Sequence, residues 1–250
     1  MDEPTARAQI VECCRRMHER GLISGGEGNV SIRLARNRVL VTPSGVNKGF
    51  LKPEDLVVVD FDARVVKGKA RASSEVRMHL AAYRVRPEVG AVVHAHPPTA
   101  VAFTIAGVRL AQCVIPEAIV TLGEVGVAPY VTPTTEALAA EVERLLVSHD
   151  VVMMDRHGSV TLGRDVFEAY DRLEALEHTA RITFMARALG PLKPLPPDEV
   201  ARLRAIGRAM GWRSDFSGCE GCNVCRGGPD GSDEALISAV VQRVLARLAK

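Results

Sequence analysis

The chain has 250 residues, 47% of them apolar, which suits one globular domain with a substantial core plus an extra segment and is too little for two full domains. Its 32 basic and 30 acidic residues leave a net charge of +2, so no strong field marks a nucleic-acid binder, and the expected partners are small molecules or proteins. No stretch approaches the roughly 18 apolar residues of a membrane span, and the start "MDEPTARAQI" is too acidic and polar for a secretory signal; a cytoplasmic location is expected.

From Thr5 to Arg20, Ala6, Ile10, Cys13, Cys14 and Met17 recur at helical spacing and Gly21 supplies a stop, which predicts an amphipathic first helix. "SGGEGNVSIRL" reads as a glycine-rich turn entering an alternating strand, "RVLVTPSGV" as a second strand with a polar turn, and "DLVVVDFDARVVKGK" as two short strands. "SSEVRMHLAAYRVRP" carries Val76, Leu80 and Tyr83 at helical spacing and closes before Pro87. "AVVHAHPPTA" is a strand stopped by Pro97 and Pro98. "TEALAAEVERLLVSH" predicts a helix, "DVVMMDRHGSVTLG" two strands about a turn, and "DVFEAYDRLEALEHTARITFMARAL" a helix of about 25 residues. Strands flanked by helices throughout imply a layered α/β domain over residues 1–212.

The chemistry concentrates in three histidines. Side chains alternate faces along a strand, so His94 and His96 point the same way while Ala95 points opposite. A lone histidine near a core is more often a hydrogen-bonded packing residue, but His157, set between an apolar strand and a turn glycine, offers a third imidazole. Three histidines match the nitrogen set of a catalytic zinc-like centre with an open position. Ser73 and Ser74 precede a helix whose N-terminal N–H groups favour an anion, although a serine there also serves as an ordinary cap. Glu75 sits where an acidic residue suits the helix dipole in any case.

"SGGEGNVSIR", "VTPSG", "SSEVRMHLAAYRVRP", "VVHAHP" and "HGSVTLG", in that order and spacing, resemble the class II aldolase/adducin family over roughly residues 5–190. The resemblance implies a layered class II aldolase/adducin fold, with a central, mostly antiparallel sheet flanked by helices. It implies His94, His96 and His157 as ligands of a divalent metal, most commonly Zn2+, and Glu75 as the catalytic carboxylate. It further implies a phosphate cradle made of Gly28, Asn29, Ser44, Gly45, Ser73 and Ser74, and a homotetramer. The implied reaction is cleavage of a ketose 1-phosphate into dihydroxyacetone phosphate and a small aldehyde such as lactaldehyde. Where the family's aldolases have a tyrosine thought to protonate the aldehyde side, "CVIPEAIVTLG" is apolar apart from Glu117. Glu117 resembles the acid/base of the superfamily's sugar-phosphate dehydratases and is a second candidate catalytic residue, so dehydration stands as the alternative. A non-catalytic adducin-like module is disfavoured, because such modules lose the histidines kept here.

Past residue 190 the texture changes. "PLKPLPPDEV" is proline-rich, and a short helix runs to Gly211. Residues 213–232 read as a Gly/Cys-rich linker, in which Cys219, Cys222 and Cys225 resemble the start of an iron–sulfur run without its fourth cysteine. Residues 233–250 place Leu236, Ile237, Val240, Val241, Val244, Leu245 and Leu248 in one helical stripe. So short a helix is marginal alone and needs an apolar partner. That partner is either the enzyme's own surface or, since the pattern resembles encapsulation peptides, a shell or cargo protein of a bacterial microcompartment.

Overall fold

The computed structural model describes residues 2–110 and 113–212; the linker, the tail and their cysteines lie outside the described residues. The chain opens with α1 (Glu3–Glu19), whose N-cap Asp2 accepts the Thr5 N–H and whose apolar stripe, Ala6, Ile10, Cys13, Cys14 and Met17, is fully buried. Burying Ile10 and Met17 stabilises this docking by about 1.5–3 kcal/mol each. β1 (Asn29–Ala35), β2 (Arg38–Val41), β3 (Val57–Val59) and β4 (Val65–Lys67) form a meander, followed by α2 (Val76–Val85), β5 (Ala91–Ala95) and α3 (Pro98–Ile105). Then come α4 (Pro116–Leu122), β6 (Val125–Ala128), α5 (Glu136–Leu146), β7 (Val151–Met154), β8 (Gly158–Gly163), α6 (Val166–Leu189) and α7 (Pro197–Ala209).

The eight strands make one sheet in the order β4-β3-β2-β1-β5-β8-β7-β6, antiparallel at every step except β6 against β7. Strand alternation sorts the side chains into two cores. Val30, Ile32, Leu40, Val58, Ala91, Val93 and Ala95 face α1 and α6, while Val39, Val41, Val57, Val59, Val92 and Val160 face α2 and α5. A third apolar cluster joins α3, α4 and α6 over Val151 and Met153. This is the layered α/β fold that the sequence resemblance implied.

Three elements were not expected: α3, α4 and β6. Pro97 and Pro98 end β5 as predicted, but Pro98 also occupies the first turn of a new helix, where its missing N–H costs nothing. The carboxylate of Glu177 on α6 accepts the N–H groups of Thr99 and Ala100, each at 3.0 Å, and so caps α3 from outside its own sequence. β6 is a four-residue edge strand, "VGVA", too short for a period to register.

Candidate metal centre

The centre lies on the α2 side of the sheet. Asn29, the first residue of β1, pairs with His94 near the end of the antiparallel β5, so the glycine-rich loop before β1 meets the exit of β5. Gly28 makes that junction feasible: at φ +69° a Cβ would stand 2.6 Å from the Ile23 methyl and 2.9 Å from the His94 carbonyl. Gly158 does the same on the other flank, where a Cβ would meet the Ala95 carbonyl and the His96 ring. His157 occupies the turn between β7 and β8 and follows Arg156, a non-glycine residue at φ +57°.

The three imidazoles stand with ring centroids 4.9, 5.0 and 5.1 Å apart, all nearly edge-on, and offer one ligand atom each within 4.8 Å of one another. His94 is fully buried and its Nδ1 donates to the Ser159 carbonyl at 2.9 Å, which leaves Nε2 with a lone pair. That Nε2 lies 3.1 Å from Nε2 of His96, and Nε2 of His157 lies 3.2 Å from Oε1 of Glu75. The Nδ1 of His96 faces the Glu27 carboxylate at 3.5 Å, the outward contact that commonly orients a ligating imidazole. Ring nitrogens aimed at one another beside a carboxylate are a donor set that fits a divalent cation.

Glu75 is the N-cap residue of α2, yet its side chain makes no capping bond. It turns to the histidines instead: Oε2 accepts from Asn29 Nδ2 at 2.9 Å and lies 3.1 Å from His94 Nε2. Burial opposes its charge, but the neighbouring imidazoles of His94 and His157 outweigh that and hold the carboxyl well below its usual range. Burial also pulls against protonation of His94, but Glu75 prevails and raises it. His96 is pushed down to about 3 by burial, with His94 and His157 adding to the effect.

Some of the expected phosphate residues lie on segments joined by backbone bonds, Ser44 N–H donating to the Arg71 carbonyl at 3.0 Å and Ser73 N–H to the Thr42 carbonyl at 3.1 Å. The Ser73 hydroxyl is buried and accepts the Glu75 N–H at 3.3 Å, while Ser74, Ser44 and Gly45 are exposed. Gly45 takes φ +73°, and an isolated bridge between Pro43 and Ala72 ties the "TPSG" turn to the serine pair. The carboxamide of Asn29 is engaged by Glu75 and by His79. Glu117 is exposed in the first turn of α4, and among the described residues it makes no ion pair or hydrogen bond with Glu75 or the histidines.

Sequence reading passed over three residues here. Lys48, 2% exposed, donates to the carbonyls of Gly26 at 2.9 Å and Val46 at 2.7 Å, and so clamps the glycine-rich loop to the "TPSG" turn. Glu27 lies in the glycine-rich turn, where no neighbouring residue marks it as a partner of His96. His79 lies in the quoted helix at Glu75 plus four, a same-face spacing that could have been noticed.

Three converging histidines and a carboxylate on a layered α/β scaffold define a metal-dependent enzyme. Residues 8–184 match the class II aldolase and adducin N-terminal domain. The L-fuculose phosphate aldolase of Methanococcus maripaludis is 34% identical over 181 residues, 72% of this chain and 97% of that protein. The 3-oxo-tetronate 4-phosphate decarboxylase of Haemophilus influenzae is 33% identical over 188 residues, 74% of this chain and 89% of that protein. Among solved structures, an L-fuculose 1-phosphate aldolase superposes with a TM-score of 0.75 at 26% identity, covering 83% of this chain and 97% of its own. The chain belongs to the class II aldolase and adducin family. Within it, the chain is a class II aldolase, a lyase dependent on a divalent metal.

Proposed function

We propose that the chain cleaves a ketose 1-phosphate, fuculose 1-phosphate-like, into dihydroxyacetone phosphate and a small aldehyde such as lactaldehyde. The observation that carries this reading is Glu75, which forgoes its helix cap to share a site with three imidazoles. His94, His96 and His157 would hold the metal, with Zn2+ favoured by the three-nitrogen set. When bound, that cation supplies Lewis acidity at the carbonyl beside the bond that breaks. Glu75, ionised at neutral pH, takes the proton of the hydroxyl whose carbon becomes the aldehyde, and the released electron pair passes to the carbonyl side as an enediolate. Returning a proton to the enediolate carbon, the one that lost its bond to the departing aldehyde, completes dihydroxyacetone phosphate. Gly28, Asn29, Ser44, Gly45, Ser73 and Ser74 form the phosphate cradle, which Lys48 braces from behind. The family resemblance supports a homotetramer.

A second reading is decarboxylation of a 3-oxo sugar-acid phosphate, supported by the 33% identity to the decarboxylase. Both reactions leave a negative charge beside a carbonyl, so one centre suits either. Incubating the metal-loaded protein with ketose 1-phosphates and with 3-oxo-tetronate 4-phosphate separates them. Dihydroxyacetone phosphate supports the aldolase, carbon dioxide the decarboxylase, and loss of water the dehydratase alternative with Glu117 as acid/base.

Residues 233–250 are proposed as a docking helix for a microcompartment shell or cargo protein, on the strength of the Leu236 to Leu248 stripe and the polar linker before it. Diffuse fluorescence of a fusion carrying residues 229–250, and of the full-length enzyme, in cells that make such shells would refute this. Loss of assembly on deleting the tail would favour packing on the enzyme itself.

A further inference from the structure

Behind the carboxylate runs a buried row of polar groups that the aldolase reading leaves unused. Asn29, Ser31 and Arg33 occupy alternate positions of β1, and Glu75, His79 and Tyr83 recur every fourth position from the cap of α2. Two strand residues advance about 6.7 Å and four helix residues about 6 Å, so the two rows stay in step. Asn29 Nδ2 donates to Glu75 Oε2 at 2.9 Å, and Asn29 Oδ1 stands 2.5 Å from His79 Nε2. His79 Nδ1 lies 2.7 Å from Ser31 Oγ, which lies 2.9 Å from Tyr83 OH. Asn29, Ser31, His79 and Tyr83 are all at most 3% exposed.

The proton positions along this row follow from its one charged end. A carboxylate only accepts, so the Asn29 amino group must face Glu75 and its oxygen must face His79. That oxygen accepts, so Nε2 of His79 carries the hydrogen and Nδ1 is left as an acceptor for the Ser31 hydroxyl. Ser31 Oγ in turn accepts from Tyr83. Burial pushes the His79 imidazole down to about 3, with His94 adding to the effect and Glu75 opposing it, so the ring is neutral in the working range.

We infer that His79 is a positioning residue for the lyase reaction: its Nε2–H locks the Asn29 carboxamide in the one flip that aims an amide donor at Glu75, and thereby fixes the carboxylate among the three histidines. The Nδ1–H tautomer would instead turn a bare Nε2 toward the Asn29 oxygen and so release or invert the carboxamide. With the carboxamide reversed, its oxygen would confront the carboxylate and push Glu75 off its line. The inference rests on the reading of Glu75 as the base.

Two substitutions separate positioning from packing. His79→Gln keeps an amide donor near the place of Nε2, whereas His79→Asn reaches only as far as Nδ1 and leaves Asn29 without its partner. With each variant metal-loaded and folded, the asparagine variant should lose tenfold or more in kcat with KM within about threefold of wild type, and the glutamine variant should recover most of that loss. Equal kcat in the two variants, with only the melting temperature changed, would overturn the inference. Imidazole nitrogen shifts of the metal-free wild-type protein give an arm independent of turnover and of variant folding: His79 should hold a single Nε2–H tautomer at pH 7. An Nδ1–H tautomer there refutes the relay. If the wild-type enzyme cleaves none of the ketose 1-phosphates, the functional reading has failed, and the tautomer still decides the orientation of Asn29.

Discussion

Replacing Glu75 by glutamine removes a base while barely changing shape. The amide nitrogen cannot take the place of Oε2, because Asn29 Nδ2 is a donor 2.9 Å away and two donors would face each other. It must replace Oε1 and turn toward Nε2 of His157, 3.2 Å away, while the remaining oxygen keeps the Asn29 bond. That bond loses its charge assistance, a change of about 1 kcal/mol in stability. The chemical loss is larger: a positioned general base contributes roughly a hundredfold or more, about 2.7 kcal/mol of barrier. Glu75→Gln should therefore retain its fold and bound metal and lose at least about a hundredfold in kcat. Dihydroxyacetone phosphate release can be followed by coupled reduction with NADH, beside metal analysis and thermal melting. Turnover within threefold of wild type, with metal intact, would refute the assignment and direct attention to Glu117.

Alanine at both His94 and His96 should abolish stoichiometric metal binding and nearly all turnover; elemental analysis of purified protein that still shows one metal per chain would place the centre elsewhere. Ser74→Ala or Asn29→Asp should raise KM for phosphorylated substrate, the latter by adding a like charge beside the phosphate and Glu75, and equal activity on phosphorylated and unphosphorylated ketoses would sink the cradle. His79 gives a pH dependence of defined sign. Its folded value, about 3, lies below the unfolded 6.5, so the unfolded chain binds the extra proton, and the ring's contribution to stability is present above 6.5 and lost as pH falls toward 3. Between pH 7 and pH 5 this costs about 2 kcal/mol, so denaturant unfolding of metal-free His79→Gln should be less sensitive to acid than wild type by about that amount.

The histidine centre was legible because strand alternation is rigid: His94 and His96 share a face whatever the rest of the chain does, and the glycine after His157 marked its turn. Glu75 was legible as a residue but not as an orientation. A helix-capping carboxylate and a catalytic one look alike in "SSEV", and only the absence of a capping bond separates them. α3 was hidden because its cap, Glu177, comes from a helix 78 residues further along the chain from Thr99. The i, i+4 spacing places His79 on the Glu75 face of α2, but the roles of Lys48 and His79 depend on which carbonyls and hydroxyls the fold brings beside them.

The sheet order has a consequence for biosynthesis. β5, which carries His94, is hydrogen-bonded on one side to β1 and on the other to β8, although β8 is made some sixty residues later. His157 and the Ser159 carbonyl that sets the tautomer of His94 both come from that late hairpin. A nascent chain thus presents His94 and His96 well before His157 is made, and such distant contacts are slow to form. Until β8 closes against β5, a metal ion meets only a two-nitrogen fragment beside the carboxylate. A complete three-nitrogen centre therefore exists only once β8 has closed against β5, and ion occupancy would report how much of a preparation has completed its sheet.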